Sequence, residues 1–421
     1  MSDTSNNWTL VNHIDHGGYG TLTVIRGSEQ ISRNLTSDVA SGAEYVPWFL
    51  GVTPDNKVIM LDQVSKEISL QDSMPKDAYP VYSYRDRFSD RIWFMNDGDP
   101  KTGNDTLNCG DKGASVTIIE PGKNGEPPTH VATLCVGRGH HVPTFMGPDE
   151  KNPDQAKVVY LSNLLDGTIN LINNDESDKA NFLKTLQTID LIEPDKEKDG
   201  TTSAPNNAFP HGKQYSIVTG KIYSLNNGYG TVAVINPVSA EIESLIPLKG
   251  ASNLLLSPCG KFIIGKGADR KSNEEHVIGK LSVIDLQKEE VVKVEDIEDF
   301  YPSVYRFNPD GSKLFVTSAS TGKGIQKENL KYNTLYVYDA SKLPELVLLK
   351  TLEVGNCDCG RRPLAFPADP NVKLMFNPNP TDGTVDIIDT EQLEIIKTVK
   401  IAEQGGSEFN FSLWDKGIYG A

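Results

Sequence analysis

Five of the seven histidines stand in short glycine-, aspartate- or proline-bearing segments rather than in apolar runs. They are His13 and His16 in Asn12-His-Ile-Asp-His-Gly17, His140 and His141 in Gly139-His-His-Val-Pro143, and His211 in Phe209-Pro-His-Gly-Lys213. Imidazole titrates near neutral pH and ligates copper, iron, zinc or nickel, so such a set suits either acid–base work or a metal shell. As a metal site the ligands would be His13, His16, His140, His141 and His211, with Glu408, Asp15 or a cysteine completing the shell. No His-x-x-x-His or Cys-x-x-Cys spacing marks it. Arg361 and Arg362, with Arg85, Arg87 and Arg138 behind them, offer planar forks of donors for a carboxylate or similar anion. Beside them Cys357-Asp-Cys359 can hold a soft metal, close a strained disulfide or remain two thiols. The plainer alternatives are loop histidines that cap backbone groups and arginines paired with neighbouring aspartates.

These residues are hundreds of positions apart, so a repeating scaffold must bring them together. One pattern recurs about every fifty residues, a short alternating run that ends in Asp or Asn and follows a Gly or Asn turn. It appears as Thr21–Ile25, Ser115–Ile119, Thr168–Ile172, Thr231–Ile235, Leu281–Asp285, Leu335–Asp339 and Thr384–Asp389. Upstream stands a Pro-Asp-Gly-Lys-like turn, as in Ser257-Pro-Cys-Gly-Lys261 and Asn308-Pro-Asp-Gly-Ser-Lys313, and downstream a further strand such as Glu394–Val399. Four strands per unit in a meander make a propeller blade. A weaker unit over Gly51–Leu70 fills the long first interval and raises the count to eight; if it is only an excursion the count is seven. The expected fold is therefore all-β, a single closed β-propeller domain over residues 1–421 with eight four-stranded blades. Glu408–Trp414 supplies the innermost strand that the first blade lacks, closing the ring and removing exposed sheet edges.

In such a ring, the segment before each inner strand shares an end with the loop between second and third strands. The segments expected there are 41–45, 84–87, 139–143, 209–213, 250–253, 301–304, 357–363 and 405–408, with 12–17 as the corresponding loop of the first blade. Only His130, at the start of an outer strand, and His276, in a charged loop, fall elsewhere.

A net charge of −16 repels phosphate backbones and anionic lipid, which argues against nucleic-acid and membrane partners. No run approaches the length of a membrane helix. Met1–Trp8 is polar and does not read as a secretory signal, and the five cysteines form no disulfide pattern, so a cytoplasmic protein is expected.

The Asn-Gly-Thr-Val-type turns and the Pro-Asp-Gly-Lys-like turns resemble those of the YVTN-type propellers, and the likeness runs over almost the whole chain. That group includes the haem d1 domain of cytochrome cd1 nitrite reductase and the N-terminal domain of nitrous oxide reductase. The resemblance implies a metal- or tetrapyrrole-dependent oxidoreductase acting on a small polar or anionic substrate. His140, His141, Arg361 and Arg362 would be its catalytic residues, and copper, iron, zinc or a haem d1-like macrocycle its cofactor. No Cys-x-x-Cys-His haem-attachment motif is present. The alternatives are a cofactor-independent lyase, hydrolase or isomerase with a funnel histidine as acid–base group, and a non-catalytic interaction scaffold.

Overall fold

The computed structural model describes residues 8–15, 20–26, 29–37, 48–52, 58–61, 80–89, 91–96, 109, 114–120, 129–139, 141–272, 275–319, 329–357, 362, 364–366, 371, 373–400, 406–413 and 418–419. Over these residues the chain forms eight antiparallel sheets in sequence order, one for each repeat, and no α-helix. The fold is an all-β propeller. Blades are numbered here in chain order: one holds residues 8–37, two 48–61, three 80–135, four 143–190, five 210–247, six 251–298, seven 302–353 and eight 365–400.

Blades three to seven are four-stranded meanders. Blade eight has three strands, and a single bridge from Ala365 to Phe376 marks its inner position. Blade two contributes Trp48–Val52 and Val58–Leu61; its expected Lys66–Leu70 strand lies outside the described residues. Near the C-terminus Gly406–Leu413 pairs with Trp8–Asp15, so the two ends of the chain share one sheet.

The alternating pattern explains how blades pack. In the second strand of blade four, Val158 and Tyr160 join a cluster with Ile222, Ala233 and Ile235 of blade five. Val159 and Leu161, on the other face, join Trp93, Val116 and Ile118 of blade three. A strand that is apolar on both faces is sandwiched between sheets, and all six residues of Val158–Asn163 are buried. The same face-to-face contact recurs between blades five and six, six and seven, and seven and eight.

Polar ladders cross three of the blades from second to outer strand. Asn163 donates to Thr168 and Asn170, and Asn170 donates to Thr188. Asn379 donates to Thr384 and Asp386, whose carboxylate accepts from Thr398. Asn96 donates to Ser115 and Thr117, and Thr117 meets Thr133. In blades four and eight the Asn…Gly-Thr turn thus supplies buried amides with partners across the sheet, and in blade three Ala114-Ser115 takes the same place.

The outer strands of blades three to eight each carry one extra residue: Val131, Leu186, Glu243, Val292, Leu349 and Ile396. Bulges at a sheet edge break the row of unpaired backbone groups that would template another strand.

Cys109 and Cys135 form a disulfide across 26 residues, which corrects the reading that the cysteines form none. It also removes the premise of a reducing cytoplasm, since such bonds persist in oxidising compartments.

Candidate functional site

Each inner strand begins opposite the end of its second strand: Pro143 faces Leu161, Ala251 faces Gly267 and Pro302 faces Ser318. The blade-to-blade links and the loops between second and third strands therefore share one end. His141 and His211 lie there, as expected from the sequence.

His141 stands two residues before the inner strand of blade four and is fully buried. Its Nδ1 lies 3.1 Å from the Ser162 carbonyl oxygen. In blade five, His211 is half-buried and its Nδ1 lies 2.8 Å from the Ser252 carbonyl oxygen of blade six. A carbonyl only accepts, so in each neutral ring Nδ1 carries the proton and Nε2 the lone pair. His211 is aimed out of its own sheet by a bulge, where residues 210 to 213 span only Asn226 to Ser224 on the partner strand. Gly212 makes this bulge with φ +95°, and a Cβ there would stand 2.5 Å from the Asn253 amide oxygen.

Lys213 follows in the same strand, 5% exposed. Its Nζ donates to the carbonyl oxygens of Val142 at 2.9 Å and Tyr160 at 2.6 Å. Burial alone drives this ammonium well below the usual lysine range.

The same end holds a pair that sequence reasoning passed over. His276, in the loop between second and third strands of blade six, puts Nδ1 2.8 Å from Asp299 Oδ1. Asp299 follows the outer strand of that blade, and its backbone N–H bonds the Val277 carbonyl, fixing the two segments together. The hydrogen bond to Asp299 raises the His276 pKa; partial burial opposes it, and the charges of Asp299, Glu298 and Glu275 add to it. The imidazole is 28% exposed and the carboxylate 15%, so the ring reaches solvent while its orienting partner is mostly covered. This is the orientation logic of a catalytic carboxylate–imidazole pair. The signal in sequence was weak: His276 and Asp299 are 23 residues apart, each among other charged residues.

The arginines divide. Arg362 is 1% exposed, and its guanidinium donates to Asn379 Oδ1 at 2.9 Å, to the Gly355 carbonyl at 2.6 Å and to Asn333 Oδ1. That set clamps the loops of blades seven and eight. Arg138 is paired with Asp166 at 2.6 Å. The segment 84–87 does not precede an inner strand: it is the tail of Pro80–Arg85 and the turn after it, where Asp86 accepts from Phe88 N–H and Ser89 Oγ. Arg85 and Arg87 therefore belong to the opposite end. Cys357 is buried.

His13 lies within the strand Trp8–Asp15, opposite Thr21 and Phe409, rather than in a loop. Glu408 lies in Gly406–Leu413 opposite Ile14. His16, His140, Arg361 and Cys359 lie outside the described residues. Among the described residues, the one group of metal-ligand types within mutual reach is His276, Glu298 and Asp299, which contains none of the expected ligands. A cleft of about 420 Å³ lined by Cys259, Asp310 and Leu343 opens at the far end of the propeller, away from these histidines.

No protein-family model matches the chain, and no curated protein matches it in sequence. Solved structures do. A candidate 6-phosphogluconolactonase from Bacteroides fragilis aligns over 98% of this chain and 99% of its own, with TM-score 0.53 and 13% identity. The periplasmic gluconolactonase PpgL of Pseudomonas aeruginosa aligns over 96% and 98%, with TM-score 0.52 and 13% identity. Hydrazine synthase of Kuenenia stuttgartiensis aligns over 81% of this chain and 94% of that one, with TM-score 0.52 and 15% identity.

At these identities the likeness establishes the fold. Lactonase names recur among these neighbours, which fits the hydrolase alternative better than the expected metal-binding oxidoreductase, and the neighbours do not support that expectation. The cytoplasmic expectation is corrected by this chain's own disulfide, a bond that persists in oxidising compartments; one fold neighbour is named a periplasmic protein.

Proposed function

We propose that the protein is a hydrolase that opens a small polar lactone at the histidine-bearing end of the propeller. The observation that carries the reading is the 2.8 Å hydrogen bond between His276 Nδ1 and Asp299. Lactonase names among the fold neighbours support it.

Asp299 holds the imidazole by Nδ1, and in this reading Nε2 is the base. Water attacks the lactone carbonyl as Nε2 accepts its proton, and Asp299 stabilises the imidazolium that forms. Collapse of the tetrahedral intermediate breaks the ring C–O bond, and the leaving alkoxide takes the proton back. The products balance as one hydroxy acid from lactone and water. His211, half-buried on the adjacent blade and held by the Ser252 carbonyl, is the residue this reading assigns to a substrate hydroxyl. His141 is enclosed, and in this reading it shapes the link on which it sits.

Within the propellers we keep the chain beside the YVTN-type group on its repeated Asn…Gly-Thr turns. An oxidising compartment such as a periplasm accords with the Cys109–Cys135 bond.

The test is the initial rate of lactone hydrolysis above the uncatalysed rate. His276→Gln lowers kcat/KM by about 10²–10⁴-fold with the fold intact, the usual range for a general base. A folded variant with undiminished rate would remove His276 from the mechanism.

A further inference from the structure

We infer that Lys213 is a positioning residue: its side chain staples the His141-bearing link of blade four to the His211-bearing strand of blade five. The inference rests on the reading that this end of the propeller is catalytic.

Three observations carry it. Lys213 Nζ binds the carbonyl of Val142, next to His141, and the carbonyl of Tyr160, two residues before Ser162. Ser162 is the residue that holds the link: its carbonyl accepts from His141, and its hydroxyl accepts from the Val142 N–H at 3.0 Å. One amine therefore spans both halves of the clasp around His141. Lys213 also lies two residues beyond His211, past the bulge at Gly212, so the same short stretch of strand aims one histidine and anchors the other.

An apolar side chain of similar length would fill the space between these sheets without the penalty of desolvating an ammonium. A lysine there gives geometric control of two carbonyls at the rim of the ring, and a clasp fixed from the neighbouring blade keeps the link from drifting. Misplacement by an ångström at such a rim is enough to slow chemistry by one to two orders of magnitude.

The experiment compares wild type with Lys213→Met, which keeps the length and removes the donors. Lys213→Gln, which keeps a donor, serves if the methionine variant does not fold. Two readouts are taken on folded protein: hydrogen–deuterium exchange of the peptide over residues 136–146, and kcat and KM for a lactone. The expected result is faster exchange over 136–146 with residues 275–299 unchanged, and kcat/KM lower by about tenfold or more, carried mainly by a higher KM because His211 meets the substrate. Unchanged exchange over 136–146 would overturn the staple. Faster exchange with unchanged kcat/KM would overturn its role in catalysis while leaving the hydrolase reading intact. If wild type opens no lactone, the hydrolase reading falls, and the exchange result alone decides the staple.

Discussion

A carboxylate bonded to one nitrogen of an imidazole raises its pKa and fixes the ring's orientation, and His276 bonded through Nδ1 to Asp299 has that raised pKa. The sign of the pH effect follows. Asp299→Asn removes the first cause of the raised pKa, so the base form of His276 persists to lower pH. The acidic limb of the kcat/KM profile therefore moves down in pH, while the maximal rate falls because the imidazolium loses its counter-charge; a pH–rate profile of the variant checks both. Arg362 makes the opposite kind of prediction. Its three acceptors and near-complete burial make it a structural clamp, so Arg362→Met costs about 3 kcal/mol of stability by leaving buried carbonyls unmet, measured by denaturant unfolding. His141 and His211 were legible in sequence because Gly-His-His-Val-Pro and Pro-His-Gly read as strand-entry turns. The His276–Asp299 pair was not, because no local spacing joins residues from two separate loops.

At the scale of elements, the bulge at Gly212 strains blade five, and the asparagine ladders satisfy buried amides in blades three, four and eight. Gly212→Ala must hold a left-handed φ and push against Asn253, which costs about 2 kcal/mol and turns His211 away from Ser252. Asn163→Ala leaves Thr168 and Asn170 without their shared donor and costs about 1–3 kcal/mol. Thermal unfolding of each variant is the check. Period-2 alternation gave the second and third strands correctly, and in blades four to seven both faces of these strands are packed against neighbouring blades. The bulges lay beyond it: an inserted residue such as Leu186 or Ile396 has no side-chain signature in sequence. The segment 84–87 was misread for a related reason, because an Arg-Asp-Arg stretch looks the same at either end of a strand until Asp86 is seen capping its turn.

For the whole molecule, eight sheets in register with eight repeats follow from the fifty-residue period, and the pairing of Gly406–Leu413 with Trp8–Asp15 follows from an incomplete first unit. The Cys109–Cys135 bond was invisible because its partners meet only once blade three has folded. Cys135→Ser, or reduction, lowers stability by about 3 kcal/mol for a loop of this size, read as an unfolding midpoint below that of the oxidised wild type. The central claim, hydrolysis at the histidine-bearing end, is tested most directly in a pH-stat with glucono-δ-lactone, comparing wild type with His276→Gln. The account predicts acid release well above the uncatalysed rate for wild type and a loss of at least about a hundredfold in the variant. Folded wild-type protein that releases no acid beyond the uncatalysed rate would contradict it.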